Sequence, residues 1–85
     1  VAVSRLVRHK GHPELLEAMR ATPANAVLWV VGERLPTDHG EDLRPHFARA
    51  AAALGRRLRM LGYRHDVPRV LAAADVFCLP SHFEG

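Results

Sequence analysis

Residues 76–85 read VFCLPSHFEG, and no other stretch limits the folds open to the chain so strongly. Val76 to Leu79 is an unbroken apolar run that Pro80 stops. A run of this kind, without polar alternation, predicts a strand buried on both faces, as in a parallel sheet covered by helices. Proline donates nothing to a ladder, so pairing is expected to end there. Residues 81–85 then hang as a loop from the strand's C-terminal end, which in open parallel sheets is the edge where ligands bind.

The rest of the sequence alternates to match. Val1 to Ser4 predicts a first strand. His12-Pro13 opens a helix, with His12 near the cap and Leu15, Leu16 and Met19 on one face, ended by Thr22-Pro23. Val27 to Val31 predicts a second strand closed by Gly32, followed by a polar loop over residues 33–41. A second helix is expected from near Asp42, with a buried stripe of Leu43, Phe47, Ala50, Ala51 and Leu54 and a C-cap at Gly55. Leu58 to Leu61 predicts a third strand, and Asp66 can cap a short helix carrying Val67, Val70, Leu71 and Ala74. This order predicts an α/β fold: a Rossmann-like, doubly wound parallel sheet of about four strands with helices on both faces. In the commonest strand order, 3-2-1-4, the chain reverses between its first and fourth strands. Residues 4–12 and 81–85 then line the crevice. The chain opens at Val1 without methionine and stops inside a loop, and its 85 residues are read as a fragment, 1–85, of one such domain in a longer protein.

Composition narrows the function. Twelve basic and nine acidic residues give a net charge of +3, with only Arg56, Arg57 and Arg59 clustered. With one tryptophan, one tyrosine and no basic stripe, a nucleic-acid-binding module is a poor fit. The single cysteine, Cys78, lies in an apolar run and offers neither a disulfide framework nor a cysteine zinc site. Of the histidines at 9, 12, 39, 46, 65 and 82, only His9 and His12 have a helical ligand spacing, which Pro13 opposes. Solvated or capping histidines and no metal are therefore expected. No run is long and apolar enough to cross a membrane.

The glycine fingerprint of dinucleotide-binding folds and the phosphate-binding P-loop are both absent. The first strand is instead followed by Ser4-Arg5 and then by Lys10-Gly11 at the mouth of a helix. An arginine fork, a lysine point charge and a helix N-terminus can converge on a diphosphate, and Gly11 lets a backbone approach closely. A solvated basic turn fits the same residues equally well on composition alone. Lys10 is the only lysine among the twelve basic residues.

The segments SRLVRHKGHPELLEAM, LWVVG and LRMLGYRHDVPRVLAAADVFCLPSHFEG together resemble the C-terminal, donor-binding domain of family 4 (group 1) glycosyltransferases. That family has the GT-B architecture, two Rossmann-like domains facing a cleft. The most specific part of the resemblance is A-D-V-F-x-x-P-S-x-x-E-G joined to the earlier R-L-x-x-x-K-G.

The resemblance implies a retaining, bacterial glycosyltransferase of the hexosyltransferase type, using a nucleotide-diphospho-sugar donor with no cofactor and no metal. It assigns Arg5 and Lys10 to the donor's diphosphate and Glu84 to the sugar hydroxyls, making these three the catalytic candidates. Gly11, Gly32, Tyr63, Arg64 and Gly85 complete the donor-binding set, with Tyr63 and Arg64 near the nucleobase. Where the family often has Gly-x-Gly after the second strand, this chain has Gly32-Glu33-Arg34. The implied partners are the donor and a sugar, lipid or small-molecule acceptor. The implied location is the cytoplasm, or the cytosolic face of a membrane reached through a domain outside these residues. An epimerase of the same architecture and a non-enzymatic sugar-nucleotide-binding module are the alternatives.

Overall fold

Leu28–Val31 forms the central strand, β2, because β-branched and aromatic side chains there pack on both faces of a sheet. The structure, a computed structural model, describes residues 1–84. On either side of β2 lie β1 (Ala2–Val3) and β3 (Leu58–Gly62), both parallel to it, in the order β1-β2-β3 among the described residues. Ala2 stands opposite Val30 and Leu28 opposite Leu58, and an irregularity after Val30 sets Val31 opposite Gly62.

Three helices connect and cover these strands: α1 (His12–Met19), α2 (Arg44–Leu54) and α3 (Val67–Ala73). One face of the sheet, through Leu28, Val30 and Leu58, packs against Leu16 and Met19 of α1, Leu43, and Phe47 and Leu54 of α2. Each such buried side chain contributes roughly 1.5–3 kcal/mol relative to leaving it in water. Val70 of α3 is buried outside that cluster. Val67 shares a cavity with Val3 and Val31, and Val31 alternates away from Val30, so α3 serves the opposite face.

The expected fourth strand is the main departure. Residues 76–79 lie beside β1 without forming a ladder, held where the Val1 amino group donates to the Val76 carbonyl at 2.7 Å and Cys78 N–H donates to the Val1 carbonyl at 2.8 Å. This neighbour gives the 3-2-1-4 arrangement, but in this register the next donor toward Val3 would be Pro80, which has no N–H, so the ladder does not extend. Nor is the run buried on both faces: Val76 is 69% exposed and Phe77 53%, because α1 and α2 pack over β2 and β3.

Smaller differences have local causes. Helix α1 stops at Met19, where the Thr22 hydroxyl donates to the Met19 carbonyl at 2.7 Å. Helix α2 begins at Arg44, near Asp42 as expected, and the Asp42 carboxylate accepts the Arg44 backbone N–H at 3.0 Å. Ala51, placed on the buried stripe by its spacing, is exposed. No helix among the described residues is long and apolar enough to cross a membrane.

Candidate functional site

The turn after β1 is fixed by close backbone packing. Ser4 N–H donates to the Val31 carbonyl at 3.0 Å, carrying the strand's direction past its last residue. Gly32 has φ +129, and a Cβ there would stand 1.9 Å from the Ser4 carbonyl oxygen. Only glycine fits this position, and Ser4-Arg5 is thereby seated on the C-terminal edge of the sheet.

Residues 8–10 then form a single 3-10 turn, and Gly11, at φ +80, swings the chain into α1. A Cβ on Gly11 would lie 2.0 Å from the Pro80 carbonyl oxygen. The group that approaches this glycine is therefore the chain's own backbone. Residues 80–84 cross the entrance of α1 and are clasped to it. His82 N–H donates to the His9 carbonyl at 2.8 Å, and the His9 and Phe83 rings stack with centroids 4.7 Å apart. The His82 ring meets the Glu14 carboxylate at 2.8 Å, and Lys10 Nζ donates to Glu84 Oε2 at 2.7 Å.

Charge is matched throughout this edge. The Lys10 hydrogen bond holds the Glu84 carboxyl below the usual glutamate range, against the opposing effect of burial, with smaller help from the nearby Ser81 hydroxyl. That hydroxyl is itself buried without a well-formed hydrogen bond among the described residues. The Arg5 guanidinium donates from Nη1 to Asp38 Oδ1 at 2.6 Å; the Arg5 side chain is 52% exposed and that of Asp38 only 5%.

A second group gathers beyond the ends of all three strands. Arg5, Gly32, Tyr63 and Arg64 line a cavity of about 230 Å³, with Val3, Val31 and Val67 among its apolar walls. Tyr63 stands exposed, with His65 against it edge-on at 5.1 Å. Arg64 forks onto Asp66 through two bonds of 2.7 Å, which lower the Asp66 carboxyl to about 2. Asp66 precedes α3 but gives it no side-chain cap.

The residues singled out from sequence thus fall into two neighbourhoods. Lys10, Gly11 and Glu84 surround the entrance of α1, while Gly32, Tyr63 and Arg64 surround the cavity. Arg5 also borders a larger hollow of about 580 Å³ with His9, Asp38 and Phe83, joining the two. Gly85 lies outside the described residues. Sequence reasoning missed Asp38, which carries no periodic signal inside a polar loop. His12 stands at the start of α1 as expected, but it is 1% exposed and makes no helix-cap bond, so it is neither solvated nor capping. The signal for His12 was its spacing: positions 12, 16 and 19 follow one helical face. Among the described residues no three His, Cys, Asp or Glu side chains are gathered as a metal site requires.

Comparison with known proteins gives consistent findings. Residues 1–85 match the family described as glycosyl transferases group 1. The lipopolysaccharide core biosynthesis glycosyltransferase LpsE of Rhizobium meliloti (strain 1021) is 34% identical over 86 residues, covering 99% of this chain and 23% of that protein. The UDP-Gal:alpha-D-GlcNAc-diphosphoundecaprenol alpha-1,3-galactosyltransferase of Escherichia coli is 56% identical over 32 residues, 38% of this chain and 8% of that protein. The crystal structure of Anabaena Alr3699/HepE in complex with UDP superposes with a TM-score of 0.75 at 30% identity, covering 94% of this chain and 23% of that one. The chain therefore spans less than a quarter of each of these proteins.

Proposed function

The chain belongs to the glycosyl transferases group 1 family, and from that premise we propose that the protein carrying it transfers a sugar from a nucleotide-diphospho-sugar donor to an acceptor. Residues 1–85 are part of the Rossmann-like domain that holds the donor. The observation that carries this reading is the pairing of Lys10 with Glu84 at 2.7 Å on the C-terminal edge of a parallel sheet, where Arg5 shares a hollow with the neighbouring His9 and Phe83. Two cations and a carboxylate are what the leaving diphosphate and the sugar hydroxyls each need. The UDP in the Anabaena Alr3699/HepE structure supports the donor class.

The chemistry follows from these groups. As the bond from the anomeric carbon to the diphosphate breaks, negative charge grows on the leaving group. Arg5 and Lys10 bind that growing charge more strongly than the intact donor, which accelerates transfer. Drawing the Lys10 ammonium to the diphosphate frees Glu84 to accept charge-assisted hydrogen bonds from sugar hydroxyls. Tyr63 and Arg64, which share a cavity with Gly32, are assigned to the nucleobase by the same reading. Retention of anomeric configuration belongs to the proposal through the family 4 resemblance. So does work in the cytoplasm or at the cytosolic face of a membrane. The diphosphoundecaprenol-linked acceptor in the name of the Escherichia coli relative supports a lipid-linked sugar as acceptor.

Labelled UDP-sugars incubated with the complete protein and candidate acceptors test the reading. Release of UDP together with a glycosylated product is expected. Interconversion of the sugar without transfer favours an epimerase, and binding without turnover a non-enzymatic module. Because Arg5 and Lys10 supply the positive charge, the rate is expected to survive EDTA nearly unchanged. Activity abolished by EDTA and restored by Mg²⁺ or Mn²⁺ contradicts the metal-free mechanism.

A further inference from the structure

We propose that Asp38 is a positioning residue: its carboxylate aims the Arg5 guanidinium so that the remaining N–H groups of the fork meet the donor's diphosphate. This rests on the reading of Arg5 as a diphosphate ligand. Asp38 is itself immobilised by its loop. Its Oδ2 accepts Leu35 N–H at 2.8 Å, and its own N–H donates to the Leu35 carbonyl at 3.0 Å. The Arg34 guanidinium donates to the carbonyls of Asp38 and Gly40, both at 3.2 Å, closing the turn from outside. The carboxylate is thus a fixed, 5% exposed point, and its Oδ1 is turned to Arg5 Nη1 at 2.6 Å.

Arg5 needs such a fixed point. Its side chain is half exposed, and a long flexible side chain must lose rotamer freedom before it can hold a ligand. Its main chain is already anchored, since the Arg5 carbonyl lies 3.1 Å from His12 Nε2 and 3.1 Å from the Ser4 hydroxyl. Asp38 anchors the other end. A guanidinium has five N–H groups in a rigid fork, so a bond at Nη1 leaves donors for phosphate oxygens while setting the plane of the fork.

The sign of the effect distinguishes positioning from neutralisation. A carboxylate close to a diphosphate repels it, so removing that charge alone tightens binding. If Asp38 aims Arg5, removing the charge weakens binding in spite of this. Asp38→Asn keeps an oxygen for Leu35 N–H and loses the charge facing Arg5. Asp38→Glu keeps the charge and displaces it by one methylene.

The test is calorimetric titration of UDP into the complete protein as wild type, Arg5→Ala, Asp38→Asn, Asp38→Glu and Arg5→Ala/Asp38→Asn, with thermal melts alongside. Both Asp38 variants are expected to bind UDP more weakly, on the order of tenfold, with kcat falling too because the fork is misaimed at the leaving group. In the Arg5→Ala background, Asp38→Asn is expected to change affinity by less than about twofold, since the residue acts through Arg5. Failure of the wild type to bind UDP, or unchanged affinity in Arg5→Ala, overturns the reading of Arg5 itself. Weakened binding in Arg5→Ala with unchanged or tighter binding in the Asp38 variants overturns the positioning role alone. An equal loss from Asp38→Asn in both backgrounds does the same, because a merely structural residue behaves that way.

Discussion

His12 is 1% exposed although it precedes a proline at the mouth of a helix. Its Nε2 lies 3.1 Å from the Arg5 carbonyl and 3.0 Å from the Ser4 hydroxyl, whose own hydrogen goes to that carbonyl, so this network assigns the hydrogen to Nε2 and a bare lone pair to Nδ1. Nδ1 is buried with no hydrogen-bond partner among the described residues. A second proton there would be an unpaired buried charge, and burial pushes the His12 pKa below 6.5, with the Arg5 carbonyl opposing weakly. The unfolded chain therefore binds this proton first as pH falls. Stability is expected to be unaffected by His12 above pH 6.5, to drop as pH falls through 6.5 toward the lower folded value, and then to level off. His12→Gln should flatten that part of the profile, and thermal melts between neutral and mildly acidic pH check it. An identical slope in the variant contradicts the assignment. Glu84 lends itself to a kinetic prediction. Glu84→Gln is expected to lower kcat/KM on the order of tenfold while affinity for free nucleoside diphosphate holds or improves, because the loss falls on the sugar. A lowered melting temperature with intact transfer kinetics marks Glu84 as structural. Arg5, Lys10 and Gly11 stood out in the sequence by type and spacing and Glu84 by the family resemblance, and the structure brings Lys10 and Glu84 together at 2.7 Å. Asp38 did not stand out, since a loop residue's partner is set by tertiary folding and leaves no period in the sequence.

Among the elements, β2, β3 and α2 were legible from periodicity, because each must present an apolar face to the shared core of Leu28, Leu58, Phe47 and Leu54. Ends were less legible. The last turn of α1 contains no basic residue, and its carbonyls are met from another element. Arg57, in the 3-10 turn Gly55–Arg57 after α2, donates through Nη2 to Met19 O at 3.0 Å, Pro23 O at 3.1 Å and Thr22 Oγ1 at 2.8 Å. Its Nε donates to Ala26 O at 3.0 Å, just before β2. One guanidinium thus joins the end of α1 to the start of β2 and offsets the helix dipole. Read from sequence, Arg57 was only part of a basic cluster. Arg57→Ala is expected to destabilise the fold by roughly 2–4 kcal/mol, since several carbonyls lose a charged donor together. Arg57→Lys should restore only part, because an ammonium cannot reproduce the planar fork. Denaturant unfolding of the variants checks both, and a loss in Arg57→Ala within measurement error contradicts the role.

Across the whole molecule, the strand–helix alternation was sufficient to place a parallel sheet covered by helices. The length of pairing along residues 76–79 was not legible, because an apolar run reports affinity for a core and not how much partner strand lies beside it. The crossover that lays that segment on the outer side of β1 brings two motifs, 74 positions apart, to 2.7 Å between Lys10 and Glu84. That contact is the basis for proposing a donor site at this edge, and Lys10 is the cation in it. The most direct measurement is calorimetric titration of UDP, GDP and ADP into the complete protein and its Lys10→Ala variant. Wild type is expected to bind at least one of these nucleotides, and Lys10→Ala to lose roughly 2–4 kcal/mol of that binding with an unchanged melting temperature. Equal affinity in the two proteins would contradict a diphosphate site at this edge.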